Sequence, residues 1–225
     1  LENIDDNLTA TTVTAGGAND ITLLTTTSGD ITIDAIDATG NLVRITSAGS
    51  IAENGDAGTD ITAATAVLRA FTGIGDATID ASDIDISVDS LAATTATGDI
   101  SISDDAALNI TTVDGLSGVS ITTGGAGDDI LIREGNAAGS DDLVISQIIS
   151  NAGIGDVTLF AGGAASQDDN LNINADVTAT GGDVLIVSFE DVDFSLAPTV
   201  LTSGTGTITI HAGRVFNFGA ALTLG

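Results

Sequence analysis

The feature that most constrains this chain is a short phrase: an aspartate followed by three residues of which the first and third are apolar. Glycine or a second aspartate usually precedes it. Apolar alternation with β-branched residues is typical of strands, and Gly and Asp are typical of turns. The sequence therefore predicts many short strands, each preceded by a turn. The phrase occupies residues 20–23, 30–33, 76–79, 99–102, 129–132, 142–145, 156–159 and 183–186.

Longer segments also repeat, at unequal offsets. Residues 25–34 match residues 94–103 at six of ten positions, and residues 73–79 match residues 153–159 at five of seven. Imperfect repeats with insertions at the turns indicate a solenoid. Between residues 129 and 184, strand starts are expected every 13 or 14 residues, so a coil holds either two such units or three faces of unequal length. We expect roughly 8 to 11 coils, a rod of about 40 to 50 Å.

The composition fits a narrow, repetitive interior. There are 28 Gly, one Pro, no Cys, no Trp and no Tyr, and the aromatic residues are six Phe. Small aliphatic side chains suit layers that pack on equivalent layers above and below. We predict an all-β fold, a right-handed parallel β-helix that spans residues 1–225 as a single repetitive segment. Four Phe follow residue 188, where we expect core packing or, alternatively, a contact to a further segment or chain.

Charge excludes several classes of partner. The chain has 28 Asp and 4 Glu against 4 Arg and no Lys, a formal net charge of −28. Nucleic acid and anionic membranes require a basic surface, so neither is expected as a partner. No run of about 18 apolar residues occurs, so no direct membrane insertion is expected. A rod with this charge repels itself, and we expect it to work in a saline or calcium-containing exterior.

Three phrases resemble the repeats of filamentous-haemagglutinin-like giant bacterial exoproteins: residues 48–53, 89–95 and 171–188. That resemblance implies a right-handed parallel β-helix, export to the cell surface, and a role as an adhesin or extended filament. The secretion domain of that family has no counterpart in this sequence. Because the chain opens on Leu1 without a signal segment, we expect an excerpt of a longer protein.

A calcium site is one candidate. Residues 124–132 fit the nine-residue repeats-in-toxin calcium pattern, and Ca²⁺ takes six to eight oxygen ligands from carboxylates and turn carbonyls. The following segment, residues 139–145, carries part of the pattern. A Gly-rich turn with solvated carboxylates is the alternative interpretation. The candidate ligand positions are Gly125, Gly127, Asp128, Asp129, Asp141 and Asp142.

Stacked polar residues before the strands form a second candidate feature. They are expected in a column along one edge, where they cap turn amides or, alternatively, gather cations. The residues are Asp129, Asp142, Asp156, Asn170 and Asp183.

Catalysis is not predicted. A carbohydrate-active β-helix enzyme is the alternative, but polysaccharide lyases need clustered basic residues, and the four Arg are scattered. Paired aspartates suited to glycoside hydrolysis are too abundant for one pair to stand out. The single histidine, His211, is expected to point outward from a strand.

The sequence therefore predicts a structural or adhesive segment of a secreted bacterial cell-surface or extracellular filament protein. Its expected partners are further coils, through end-to-end self-association or continuation in a longer chain, and host or neighbouring-cell surface glycans. A calcium-binding module of a type I secreted protein is a further alternative.

Overall fold

Parallel strands stack into a β-solenoid of about 8 turns in the computed structural model of the chain. The structure describes residues 1–3, 5–55, 58–77, 82–135, 141–162, 169–194, 199–219 and 222–225. Every regular element among them is a β-strand, so no described helix is long and apolar enough to cross a membrane. The predicted all-β parallel solenoid is confirmed.

The strands of the first half are β1 (Glu2–Asn3), β2 (Leu8–Thr14), β3 (Ile21–Thr25), β4 (Ile31–Thr46), β5 (Ile51–Glu53), β6 (Ile61–Ala70) and β7 (Ile84–Thr95). The long strands β4, β6 and β7 cross from one face of the coil to the next.

The strands of the second half are short, with three to a coil. They are β8 (Ile100–Asp104), β9 (Leu108–Ile110), β10 (Thr112–Val113), β11 (Leu116–Ser117), β12 (Val119–Ile121), β13 (Ile130–Glu134), β14 (Leu143–Ile145), β15 (Ile149–Asn151), β16 (Val157–Ala161), β17 (Leu171–Ile173), β18 (Val177–Ala179), β19 (Val184–Ser188), β20 (Val192–Asp193), β21 (Thr199–Thr202), β22 (Ile208–Ala212), β23 (Phe216–Asn217) and β24 (Leu222–Leu224).

The first face of the coil has one inward position that is occupied at nine successive levels of the stack, and each residue there pairs with the equivalent residue of the next level. The interval is 20 residues from Ile31 to Ile51 and 30 residues from Ile100 to Ile130. Such variation reflects insertions at the corners. The column contains Leu8, Ile31, Ile51, Ile74, Ile100, Ile130, Val157, Val184 and Ile208.

The second and third faces follow in chain order. In the second half, β14, β17, β20 and β23 pair on the second face, and β15, β18, β21 and β24 pair on the third. Of the two predicted coil types, three faces of unequal length is the one observed. The 13-to-14-residue spacing arises because the first two faces each begin with a phrase.

The core consists of the inward side chains of each strand. On β19, Val184 and Ile186 are fully buried while Leu185 and Val187 face outward, as the period of two requires. Burying an Ile or Val side chain contributes about 2 kcal/mol, so repetition over nine levels supplies a continuous core from small residues. The third face repeats this with Leu23, Ile45, Leu68, Ala93, Val119, Ile149, Val177 and Leu201.

The strand predicted at residues 76–79 lies only partly within the described residues. The ladder passes through Ile74, which bridges Ile51 and Ile100, while Ala77 lies in a turn. Residues 78 and 79 lie outside the described residues. The matching segment carries Ile154, which is 61% exposed, and Val157 takes the ladder position instead. Similar sequence therefore does not mean equivalent register here.

Of the four Phe residues after residue 188, only Phe194 packs in the core as predicted. Phe194 is fully buried, but Phe189, Phe216 and Phe218 are exposed. Phe218 stacks on Phe194 with ring centroids 5.6 Å apart. A single aromatic side chain thus enters the described core at this end.

A hairpin interrupts the coil between β9 and β12. Strands β10 and β11 are antiparallel, and both turn residues, Asp114 and Gly115, have positive φ. This suits a two-residue hairpin turn. The hairpin covers Val67 and Ala92 on the outside of the third face, where they form a small second core with Val113.

Candidate functional site

The corner before the first face carries a column of carboxylates, which we call the first-face corner. Asp129 Oδ1 accepts the backbone N–H of Asp156 (2.7 Å), and Asp156 Oδ1 accepts that of Asp183 (2.8 Å). Asp183 Oδ1 accepts the N–H of Thr207 (2.7 Å). Each carboxylate thus satisfies the turn amide of the next coil. In the earlier coils, the same type of bond joins Asn7 to Asp30, Asp30 to Ser50, and Asp99 to Asp129.

The glycine before the aspartate is explained by this column. A Cβ on Gly182 would lie 2.7 Å from Asp156 Oδ1 and collide with the carbonyl of Gly155. A Cβ on Gly206 would lie 2.6 Å from Asp183 Oδ1. The carboxylate of one coil therefore fills the space that a side chain of the next would need.

Asp142 and Asn170, by contrast, lie at the corner before the second face. Asp142 Oδ1 accepts both the backbone N–H and the side-chain Nδ2–H of Asn170, each at 3.0 Å. The prediction that all five stacked residues share one edge is wrong, because the two phrases of each coil begin different faces. The predicted capping of turn amides is confirmed at both corners.

The candidate calcium residues are divided between these corners. Gly125, Gly127, Asp128 and Asp129 precede β13, while Asp141 and Asp142 precede β14. Strand β13 has five residues, about 16 Å at 3.3 Å per residue, so the structure does not bring the two aspartate pairs together. Residues 139 and 140, which the partial second motif includes, lie outside the described residues.

Both motif carboxylates before β13 already accept backbone hydrogen bonds. Asp128 Oδ2 accepts the N–H of Gly125 (2.6 Å) and closes its own turn, where Gly127 has a φ of 80°. Burial raises the pKa of Asp129, and the neighbouring carboxylates Asp156, Asp99 and Asp128 raise it further. Stacked carboxylates therefore repel one another at this corner, while each retains a turn-capping role.

A different trio of carboxylates lies close enough to share an ion. Oxygen atoms of Glu53, Asp60 and Asp85 all lie within 4.8 Å of one another, a group that the sequence did not single out. Asp60 is 1% exposed, and its Oδ2 accepts the N–H of Asp85 (2.9 Å). No other group of three meets this distance among the described residues.

Two further carboxyl groups are buried inside the coil, where the first face ends. Asp104 and Glu134 are register partners and both are fully buried. Asp104 accepts the N–H groups of Ala106 (2.7 Å) and Val88 (3.2 Å). Burial is the main cause that raises the pKa of Asp104 to about 7, and nearby Asp105 and Asp141 add to it.

Sequence reasoning missed these buried acids, because the pair Asp104-Asp105 resembles the other aspartate pairs. The available signal was position: Asp104 follows Ile100 and Ile102 by steps of two, which points it inward. Two of the four Arg, Arg44 and Arg69, both donate to Asp114 in the hairpin, which the sequence did not predict. His211 is exposed on β22, as expected. The described residues form no pocket that would enclose a small molecule.

No protein-family model matches the chain, and neither the curated proteins nor the solved structures contain a match. The resemblance to filamentous-haemagglutinin-like exoproteins therefore stays a prediction, while the β-solenoid architecture is compatible with it.

Proposed function

We propose that this chain is a structural and adhesive segment of a bacterial cell-surface or extracellular filament protein. The observation that carries the proposal is the unbroken ladder column from Leu8 to Ile208, which joins nine levels in one register. A solenoid held by nearest-neighbour ladders is a rod whose length grows with each added coil. Rods of this kind hold a binding surface away from its base.

Charge and composition support an exterior location. Eight rises of about 4.8 Å give a rod of about 38 Å, so −28 net charges correspond to about one per 1.4 Å. A surface this acidic stays soluble and resists association with anionic polymers. Neutral surface glycans on host or neighbouring cells are the partner class that we propose for adhesion.

The last coil supports extension of the ladder. Val215, Phe216 and Leu224 are 48%, 41% and 59% exposed, and the described partners of β22, β23 and β24 all lie in the preceding coil. Unpaired strand edges accept further strands. We therefore propose that further coils, of the same chain or of a second copy, pair with this edge.

The adhesive role can be tested with the full-length protein on its producing cells and with the purified chain. Immunogold labelling is expected on the cell exterior, and an interior signal would contradict the location. The purified chain is then applied to an array of neutral and acidic glycans, with product analysis of each bound glycan. Binding without cleavage is expected, whereas cleavage would establish the carbohydrate-active alternative instead.

Calcium binding stays a separate prediction. The thermal midpoint is measured in chelator and in millimolar Ca²⁺, at constant ionic strength, and electron microscopy follows filament formation under both conditions. A calcium-dependent segment gains stability with Ca²⁺, because an ion bound to the folded state stabilises it by mass action. An unchanged midpoint would contradict the prediction.

A further inference from the structure

Apolar side chains that solvent reaches gather on the outer side of the first face in its later coils. Leu185 and Val187 point outward from β19, and Val187 is the register partner of Phe160 on β16. The ring of Phe189 packs edge-on against that of Phe160, with centroids 5.6 Å apart. We call these four residues the outer apolar patch. Phe189 is 50% exposed and the other three are half-buried.

The corresponding positions of the two coils before β16 carry a single apolar side chain, Leu131, which is 9% exposed. On β8, the outward residues are Ser101 and Ser103, which share a ladder with Leu131 and Arg133 of β13. A sheet that faces water on one side normally carries polar residues there. Contiguous apolar residues on such a face mark an interaction site more often than isolated ones do.

Carboxylates border this patch on the same outward side. Asp183 lies two residues before Leu185, about 7 Å along the strand, and Asp156 occupies the same position on β16. Both are exposed. Their Oδ1 atoms cap turn amides, but their negative charge faces solvent beside the patch.

The cations near the patch are paired within the chain. Arg133 Nη1 lies 3.6 Å from Asp83 Oδ2. Arg214 Nη1 lies 2.9 Å from Glu190 Oε2, and its Nε lies 3.0 Å from Asp191 Oδ1. His211 is exposed beside Val187, its register partner. The patch is therefore an apolar surface within a strongly negative one.

We propose that the outer apolar patch docks a cationic amphipathic segment of another protein. Its apolar side chains would cover Phe160 and Phe189, and its Lys or Arg side chains would lie against Asp156 and Asp183. Complementary charge of this kind steers association and fixes orientation. A second copy of this chain would bring its own net charge of −28 to the contact, and a neutral glycan would gain hydrogen bonds but no charge attraction from the carboxylates.

A tryptophan-containing peptide tests this directly, because the chain has no Trp and no Tyr. The probe is a synthetic peptide that alternates Lys with Leu and carries one Trp, and the control peptide has Ser in place of Leu. Fluorescence anisotropy should show binding of the amphipathic peptide at least about tenfold tighter than that of the control. The double variant Phe160→Ser/Phe189→Ser should lose about tenfold in affinity. Phe71→Ser, at a residue 59% exposed on another corner, should lose none.

A charge variant tests the second half of the proposal. Asp156→Asn/Asp183→Asn removes both charges but keeps the amide caps, because Asn7 caps in the same way. We expect about a tenfold loss of affinity in low salt that disappears near 1 M salt. Asp5→Asn/Asp89→Asn, two exposed carboxylates elsewhere, is the matched control.

Three outcomes would overturn the proposal. One is equal binding of both peptides with no effect of the Phe substitutions. Another is glycan binding that the Phe substitutions abolish while peptide binding persists. The third is a dimer, seen by sedimentation, that Phe160→Ser/Phe189→Ser dissociates. Circular dichroism and the thermal midpoint establish that each variant is folded.

Discussion

The two halves of the solenoid turn their corners differently. In the first half, β4 has 16 residues, β6 has 10 and β7 has 12, and these strands continue from one face to the next. In the second half, from β12 onward, no described strand exceeds five residues. Continuous strands cross several corners of the first half, whereas side-chain caps such as Asp129, Asp142 and Asp156 hold the corners of the second. The first-face corner has caps of this type in both halves.

One inward column shows the same contrast. Its early members are apolar: Val13, Ile36, Ile61 and Ile86. Its next members are Asp104 and Glu134. Backbone N–H groups at the corner make the change possible, since they donate to the buried carboxylates. Regular ladders thus stabilise the first half, and local hydrogen bonds permit irregular corners in the second.

The largest expected effect is a loss of stability that begins in one half of the solenoid and so distinguishes it from the other. Phe194→Ala removes a fully buried aromatic side chain from the second half and should lower the free energy of unfolding by about 4 kcal/mol. Because each coil contacts its neighbours, hydrogen exchange should accelerate in the last coils first. Ile45→Ala, a fully buried position of the first half, is the matched substitution and should act on β3, β4 and β6. Uniform acceleration over the whole chain in both variants would contradict a stepwise solenoid.

Buried Asp104 should make the stability of the second half sensitive to pH. The pKa of Asp104 is about 7 in the fold against 3.8 in the unfolded chain. Between these values the folded state holds a proton that the unfolded state releases, so stability falls as pH rises from about 4 to about 7. We expect a loss of about 4 kcal/mol from this group, since each pKa unit corresponds to about 1.36 kcal/mol.

Asp104→Asn isolates that contribution from the titration of the other carboxylates. The variant has no titrating group at this position, so the stability advantage of the native chain should shrink between pH 4.5 and pH 8 in urea unfolding. A difference that stays constant over this range would contradict a protonated Asp104. Asp105→Asn, at the exposed neighbour, serves as the control.

The sequence predicts regular features of this molecule better than local exceptions. Asp156 and Asp183 were identified as turn caps because the phrase around them is local and repeats. The sequence could not predict the strand register at Ile74 and Ile154. Their segments are similar, but the neighbouring coil decides which residue of each segment enters the ladder. The hairpin was missed although Asp114-Gly115 between Val113 and Leu116 is a strong hairpin signal.

A smaller effect should follow from filling a capped corner. Gly182→Ala places a Cβ against the carbonyl of Gly155 and the carboxylate of Asp156, and should cost about 2.5 kcal/mol. Gly135→Ala is the matched control, because no described residue lies within 4 Å of its Cβ position and its φ lies outside the left-handed region. Chemical denaturation measures both. Equal stability of the two variants would mean that the corner shifts freely, and that the caps of the second half do not fix its geometry.

The smallest expected effect concerns the hairpin, which covers the long strands of the first half. Val113 is 6% exposed and packs on Val67 and Ala92. Val113→Ala removes two methyl groups and should cost about 1.5 kcal/mol. Thr112→Ala, on the exposed side of the same strand, should change stability by less than about 0.5 kcal/mol.

Hydrogen exchange locates this loss. Arg44 on β4 and Arg69 on β6 both contact Asp114 in the hairpin. The hairpin therefore links these two strands to the coil that contains β9, and the backbone ladder connects the same coils. If it reinforces the first half, Val113→Ala accelerates exchange in β6 and β7 while β16 and β19 keep their rates. Acceleration confined to β10 and β11 would instead mean that the long strands hold their corners without the hairpin, and that continuous strands alone distinguish the first half from the second.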